Sequence, residues 1–343
     1  MTHRIAVIPG DGAGPEVIAE ACKAVDALAL DLTWDELPWG SAHYHEHGAM
    51  MPADALDVVR RYDAVLLGAV GDPSVPDHVT LWGLLLRLRQ GLDLWANLRP
   101  ARLLEGVPSR LATREPIDML FVRENTEGEY SGVGGRAHQA LDLEVGLETS
   151  VFTRAGVRRV VEYAFELAEG RRGLVTSATK SNASRYGYVL WDEVAEEVAA
   201  EHPDVELQRV LVDALAARML TDPSSLDVVV ASNLFGDVLT DIAAVLQGGM
   251  GMAASASVAP GSDATPIFEP VHGSAPDIAG KGIANPLGAV WSAALMLEHL
   301  GEQESSSRVL DALETVCRDG PRTRDIGGSA STSEVGDAIA ERL

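Results

Sequence analysis

Two carboxylates four residues apart, Asp237 and Asp241 in Asn233-Leu-Phe-Gly-Asp-Val-Leu-Thr-Asp241, directly follow the apolar run 226–232. On a helix this spacing puts both on one face, where at roughly 6 Å and an effective dielectric of about 20 they repel by about 3 kcal/mol. A divalent, oxygen-seeking cation such as Mg²⁺ or Mn²⁺ reverses that penalty. A solvated acidic face in a chain rich in Asp and Glu is the competing reading of the same pattern.

Three arginines offer the complementary chemistry. Arg89 falls in a helical stretch, Arg99 lies beside a strand in Trp95-Ala-Asn-Leu-Arg-Pro100, and Arg123 sits at the strand end Phe121-Val-Arg-Glu-Asn125. Strand ends in α/β folds face the ligand crevice, and arginines gathered there clamp a carboxylate with paired hydrogen bonds. Taken singly, each is as readily the surface partner of a nearby acid. Tyr130, seven residues beyond Arg123 in a glycine-containing loop, presents a phenol that can donate a proton or simply pack. Lysine is scarce: only Lys23, Lys180 and Lys281 occur, and every other basic residue is arginine. Lys180, in Thr176-Ser-Ala-Thr-Lys-Ser-Asn182, follows another strand and would reach the same crevice. Lysine, unlike arginine, can act as a base once neighbouring charges disfavour the ammonium form. Asp213, in Val210-Leu-Val-Asp-Ala214, is a third acid at an apolar strand end, able to complete an oxygen set with Asp237 and Asp241.

The stretch 268–286, Phe-Glu-Pro-Val-His272-Gly-Ser-Ala-Pro-Asp277-Ile-Ala-Gly-Lys-Gly-Ile-Ala-Asn285-Pro, is too rich in Gly and Pro for regular structure and precedes a long helix. It reads as a shaped binding loop whose glycines expose backbone donors. A carboxylate such as Asp277 can bond both ribose hydroxyls of NAD while repelling the extra phosphate of NADP. An ordinary structured loop is the alternative.

These groups require a scaffold of alternating strands and helices. Strands are readable at 4–9, 63–69, 117–122, 173–177 and 226–232, and helices at 15–30, 81–92, 154–168, 191–200 and 235–246. The alternation predicts a largely parallel sheet with flanking helices. Glycines 10, 12 and 14 have the spacing GxGxG, not the dinucleotide fingerprint GxGxxG, and predict a tight turn. Residues 127–153 start glycine-rich and then alternate apolar and polar, which suits an antiparallel arm for subunit contact. The small-residue stretch 248–261 reads as a hinge back into the first domain.

A chain of 343 residues with 46% hydrophobic content predicts two domains of ordinary size. The longest nearly uncharged apolar stretch, about 286–297, is too short for a membrane span, and the opening residues run into a strand without an export pattern. A cytoplasmic location is the expectation. The net charge of −24 repels DNA, RNA and anionic lipid, so no nucleic-acid or membrane partner is expected. Cys22 and Cys317 lack ligand spacing and read as packing residues.

Asn97-Leu-Arg-Pro100, Val122-Arg-Glu-Asn-Thr-Glu-Gly-Glu-Tyr130, Thr179-Lys-Ser-Asn182, Asn233 to Asp241 and the His272 to Pro286 loop together resemble the metal-dependent decarboxylating dehydrogenases of isocitrate, 3-isopropylmalate, tartrate and D-malate. The resemblance runs from about residue 3 to 300. It implies an α/β, isopropylmalate dehydrogenase-like fold: two α/β domains sharing a large mixed, mostly parallel sheet, with a protruding β arm for dimerisation. The large, cofactor-binding domain would comprise 1–94 and 248–343, and the small domain 95–247. It also implies that Arg89, Arg99 and Arg123 bind the substrate carboxylate together with Asn182, that Asp213, Asp237 and Asp241 serve Mg²⁺ or Mn²⁺, and that Tyr130 and Lys180 handle protons. NAD would be held by Glu269, His272, Gly273, Ser274, Ala275, Pro276, Asp277, Ile278 and Asn285. Lys180 and Asp213 would reach the site of the opposite subunit of a homodimer.

Pro76-Asp-His-Val-Thr-Leu-Trp-Gly83, Gly40-Ser-Ala-His-Tyr-His-Glu-His-Gly48 and Met50-Met-Pro52 look closest to the tartrate/D-malate branch. Trp82 replaces the glutamate of isopropylmalate enzymes, and its bulk leaves less room for a substrate branch. The segments 184–190 and 88–92 depart from that branch. The expectation is therefore oxidative decarboxylation of a small (2R)-hydroxy dicarboxylate, D-malate or tartrate, with 3-isopropylmalate or another 3-alkylmalate as the nearest alternative. A catalytically dead regulatory subunit or NAD-binding module is the rival from another class, and the intact proton carriers and metal aspartates speak against it.

Overall fold

A computed structural model describes residues 2–111 and 116–343. The strands of the described residues are, in chain order, β1 (His3–Gly10), β2 (Leu32–Glu36), β3 (Ala64–Ala69), β4 (Ala96–Arg102), β5 (Asp118–Glu124), β6 (Gly128–Ala137), β7 (Val145–Val151), β8 (Leu174–Thr179), β9 (Glu206–Leu211), β10 (Val228–Ala231), β11 (Ala254–Val258) and β12 (Ile267–Pro270). All but β6 and β7 belong to one mixed, mostly parallel sheet. The chain forms two compact units: Met1–Leu94 with Arg99–Arg114 and Ala243–Leu343, and Trp95–Leu98 with Glu115–Ile242.

In the first unit β1 lies between β2 and β3, parallel to both; β3 continues parallel to β12, and β11 runs antiparallel to β12. Gly10-Asp-Gly-Ala-Gly14 makes the turn expected of it. Gly12 has φ +60°, and a Cβ there would stand 2.0 Å from the Ser274 carbonyl oxygen, so glycine is needed both for the turn and for the approach of the 268–286 loop. Within the stretch 248–261 expected as a hinge, residues Ala254–Val258 form the buried strand β11. Its alanines and serines are small because the strand is covered, with Ala254 and Ser255 fully buried, and not because it flexes.

In the second unit β10 pairs parallel with β5 and β8, and β8 pairs parallel with β9. The helices Arg154–Glu169 and Gly187–Glu201 turn apolar faces inward, burying Val160, Phe165, Trp191 and Val198. Thr153 caps the first of them, its hydroxyl accepting from the Gly156 amide at 3.0 Å. β6 and β7 form a separate antiparallel hairpin, the arm anticipated from the alternating sequence, with Leu141, Leu143 and Leu147 more than 60% exposed. Among the described residues no helix is long and apolar enough to cross a membrane.

Trp191 is fully buried, stands edge-on to Phe152, and donates from its indole to Ser177 Oγ at 2.9 Å. Replacing Trp191 with alanine should destabilise the protein by about 3–5 kcal/mol, seen as a lower urea midpoint; a loss under about 1 kcal/mol would contradict this packing role.

Candidate active site

Parallel pairing makes β5, β10, β8 and β9 finish on the same edge of their sheet, where each passes the chain to a polar group. β5 carries Arg123 as its next-to-last residue, β8 leads to Lys180, β9 leads to Asp213 in the first turn of the helix Val212–Thr221, and β10 leads into the helix Asn233–Leu246. Asp237 and Asp241 are one turn apart on that last helix, as the sequence predicted.

The Arg123 side chain is 2% exposed. Its Nε and Nη2 donate to Asn233 Oδ1 at 3.1 and 2.8 Å, and its Nη1 donates to Asp237 Oδ1 at 2.5 Å. The Tyr130 hydroxyl donates to Asp237 Oδ2 at 3.3 Å, and its ring centroid lies 5.7 Å from the guanidinium carbon. Burial, and then the Asp237 charge, push the Tyr130 phenol above its ordinary value, so it keeps its proton. Gly236 permits this approach, since a Cβ there would meet Arg123 Cγ at 2.5 Å. Glu129 fastens the same corner, accepting from the Tyr188 hydroxyl at 2.9 Å and the Leu234 amide at 3.2 Å. Sequence reasoning quoted the motifs holding Asn233, Gly236 and Glu129 without singling these residues out. An Asn opening a helix directly after a strand was the available signal.

Lys180 Nζ donates to Asp213 Oδ1 at 2.7 Å, and that hydrogen bond holds the exposed Asp213 carboxyl below its usual range. Asn182 and Asp241 are exposed. Among the described residues no group of three acidic, histidine or cysteine side chains is arranged to hold a metal. Within one chain, then, Asp213 pairs with Lys180 while Asp237 pairs with Arg123 and Tyr130; the three aspartates are not gathered.

In the first unit Arg89 is buried and donates from Nη2 to Glu269 Oε1 at 2.5 Å, joining an expected substrate residue to an expected cofactor residue. Arg99 is buried in β4, whereas Trp82 is 40% exposed. The 268–286 loop borders a cavity of about 540 Å³ lined by Ala13, His272, Ile278, Asn285, Arg324 and Asp325 among others. His272 Nδ1 pairs with the Gly273 carbonyl at 2.9 Å and must carry the hydrogen, which leaves Nε2 as an acceptor, buried and without a partner. Burial lowers the His272 imidazole below its usual value. Asn285 Nδ2 donates to Asp325 Oδ2 at 2.9 Å, and Glu16 accepts from the Gly280 and Gly282 amides, tying the loop to the helix Gly14–Asp26. Arg324, Asp325 and Glu16 were not anticipated, because nothing local in their sequence links them to residues some 40 to 260 positions away. Gly273, Ser274, Pro276 and Asp277 lie along the loop, and Ala275 adopts a positive φ of 43°, a strained conformation for a non-glycine residue. Both cysteine thiols are pushed up to about 12, chiefly by burial, so neither is a nucleophile.

Residues 4–339 match the family model for isocitrate/isopropylmalate dehydrogenases. The chain belongs to that family. As an isocitrate/isopropylmalate dehydrogenase family member it is an oxidoreductase, and its fold is that of the family. It is 50% identical over 349 residues to a probable tartrate dehydrogenase/decarboxylase of Agrobacterium vitis, covering 99% of this chain and 98% of the relative. It is 47% identical over 354 residues to the decarboxylating D-malate dehydrogenase of Escherichia coli, with 99% and 98% coverage. The crystal structure of isocitrate dehydrogenase from Methylococcus capsulatus superposes with a TM-score of 0.92 at 37% identity, covering 99% of both chains. Family enzymes generally use NAD and a divalent metal, act on small dicarboxylates and are commonly dimeric.

Arg123 is the hub of its cluster, so Arg123→Met takes both guanidinium donors from the buried Asn233 Oδ1 and the ion pair from Asp237. The expected cost is about 1–3 kcal/mol by urea unfolding, the exposure of Asp237 screening part of the loss, with Arg123→Lys in between; an unaltered midpoint in both variants would contradict the assignment.

Proposed function

We propose that the protein catalyses NAD-dependent, divalent-metal-dependent oxidative decarboxylation of a (2R)-hydroxy dicarboxylic acid, D-malate or tartrate. One observation carries the reading: Asp237 is shared between a buried arginine and a proton-bearing tyrosine, with Asp241 one turn on. The donor chemistry fits a hard dication, since carboxylate oxygens are what Mg²⁺ and Mn²⁺ prefer. The cavity fits a cofactor, since polar side chains of His272, Asn285, Arg324 and Asp325 border it beside the apolar Ala13, Ile278 and Ile283.

A divalent cation held by Asp213, Asp237 and Asp241 would supply Lewis acidity, and NAD held by the 268–286 loop would supply the hydride acceptor. The chain's own residues do the rest. Lys180 takes the hydroxyl proton. Arg89, Arg99 and Arg123, with Asn182, hold the carboxylate that departs as CO₂, and Tyr130 returns a proton to the carbon it leaves. Trp82 limits the size of the group at C3, which favours the unbranched acids over 3-isopropylmalate. Glu269, the 272–278 residues and Asn285 hold NAD, within the cofactor-binding domain formed by 1–94 and 248–343.

The exposed leucines of the β6–β7 arm support a homodimer, since so much bare apolar surface on a hairpin calls for a partner. In that dimer Lys180 and Asp213, paired with each other in the isolated chain, serve the opposite subunit's metal aspartates. The reading places the enzyme in the cytoplasm.

NADH formation and CO₂ release should be faster with D-malate or L-tartrate than with 3-isopropylmalate, and preference for the branched acid would overturn the substrate assignment. Lys180→Met should abolish turnover yet leave NAD affinity intact by fluorescence titration; undiminished turnover would refute the lysine's role. His272 stays neutral below its usual range, so its acceptor Nε2 survives moderate acid. The KM for NAD should be flat from about pH 8 to about 6.5 and rise only below that. A rise already complete at pH 7 would contradict this.

A further inference from the structure

Trp82 sits in an unusual piece of helix. The run from 77 to 91 begins as the α-helix Asp77–Thr80, widens to a π-helical turn at Leu81–Leu85, and resumes as the α-helix Leu86–Gly91. A π turn inserts an extra residue and re-aims the side chains before it relative to those after it. Leu84, Leu86, Leu88 and Arg89 are buried, while Leu81 and Trp82 are turned out, 39% and 40% exposed.

Two glycines set the height of this run. A Cβ on Gly83 would meet Met50 Cγ at 2.7 Å and Met50 Cβ at 3.2 Å, and one on Gly91 would meet Leu56 Cδ1 at 2.6 Å. Gly83 has no positive φ, so closeness to Met50, and not backbone freedom, is what glycine provides there. Met50 is itself fixed: it is 1% exposed, and its carbonyl accepts from the Gly40 amide at 3.0 Å. The π turn therefore rests its backbone directly on the Met50 side chain, one residue from the exposed indole.

We propose that Met50 is a specificity-determining positioning residue, which through its contact with Gly83 sets the depth of Trp82 and hence the size of the C3 substituent the enzyme accepts. This rests on the dicarboxylate reading above. Shortening residue 50 lets the π turn settle and withdraws the indole; adding a methyl at 83 lifts the turn and advances it. Methionine suits such a support because its unbranched thioether fills the gap beneath a helix without a shape of its own.

The test is the ratio of kcat/KM for 3-isopropylmalate to that for D-malate. Met50→Ala should raise the ratio roughly 10-fold or more, the scale that one or two methylenes command in a pocket, with the KM for NAD unchanged within about 2-fold. Met50→Leu, close in volume, should keep the wild-type ratio, and Met50→Val should show a smaller rise should the alanine variant not fold. Gly83→Ala should lower kcat/KM for D-malate roughly 10-fold, and Met50→Ala added to it should restore most of the loss, because the two changes share one space. A wild-type ratio in both Met50→Ala and Met50→Val, or strictly multiplicative effects in the double variant, would overturn the proposal. Preference of the wild-type enzyme for the branched acid would instead fault the substrate reading, while the coupling of positions 50 and 83 would still be scored on its own.

Discussion

Burying a guanidinium is costly unless its charge is matched and its N–H groups find acceptors, and Arg123 draws two residues of a single helix onto itself to do both. Asn233 and Asp237 answer it from the first turns of the helix Asn233–Leu246, and Gly236 presents no side chain where a Cβ would collide with Arg123. The pairing fixes where Asp237 stands, what Tyr130 donates to, and which face of the helix Asp241 shares. In the proposed chemistry the carboxylate repulsion is relieved twice, by the arginine that Asp237 already meets and by the cation that Asp237 and Asp241 would share.

The placement of the remaining polar groups follows from strand direction. Four parallel strands of the second unit finish on one edge, so Arg123, Lys180, Asp213 and Asn233 come to that edge from positions spread over more than a hundred residues, Lys180 paired with Asp213 and Arg123 with Asn233. Between Lys180 and Asp213 the consequence is immediate: Thr179 and Leu211 are in register at the ends of β8 and β9, and Lys180, one residue beyond Thr179, pairs with Asp213, two residues beyond Leu211. The first unit works by clasping, with Gly12 admitting the Ser274 backbone and Glu16 accepting from two amides of the same loop. That clasp gives a Gly- and Pro-rich segment a definite shape without regular structure.

Much of this was legible in the sequence because it is local. The alternation of apolar runs and amphipathic stretches marks the principal strands and helices, the period-2 pattern after Glu127 marks the arm, and the i,i+4 aspartates sit on the helix they predict. What escaped the sequence depends on distant partners. β11 looks like a hinge because its small residues are small for the sake of burial; the π turn at 81–85 leaves no compositional trace; and the pairing of Arg89 with Glu269 spans 180 positions. The same holds for Arg324 and Asp325, which join the cavity only through the folding of the chain's last segment. Family resemblance supplied roles for residues whose chemistry alone left two readings open.

The central claim is that Asp237 holds a divalent cation in the assembled enzyme while remaining tied to Arg123 and Tyr130. Manganese titration followed by electron paramagnetic resonance reads this directly, since free and bound Mn²⁺ are distinguished in one spectrum. The account predicts one tight Mn²⁺ per chain in the native protein and a loss of that site in Asp237→Asn with the fold retained. Equal, tight binding by both proteins, or none by the native one, would contradict it.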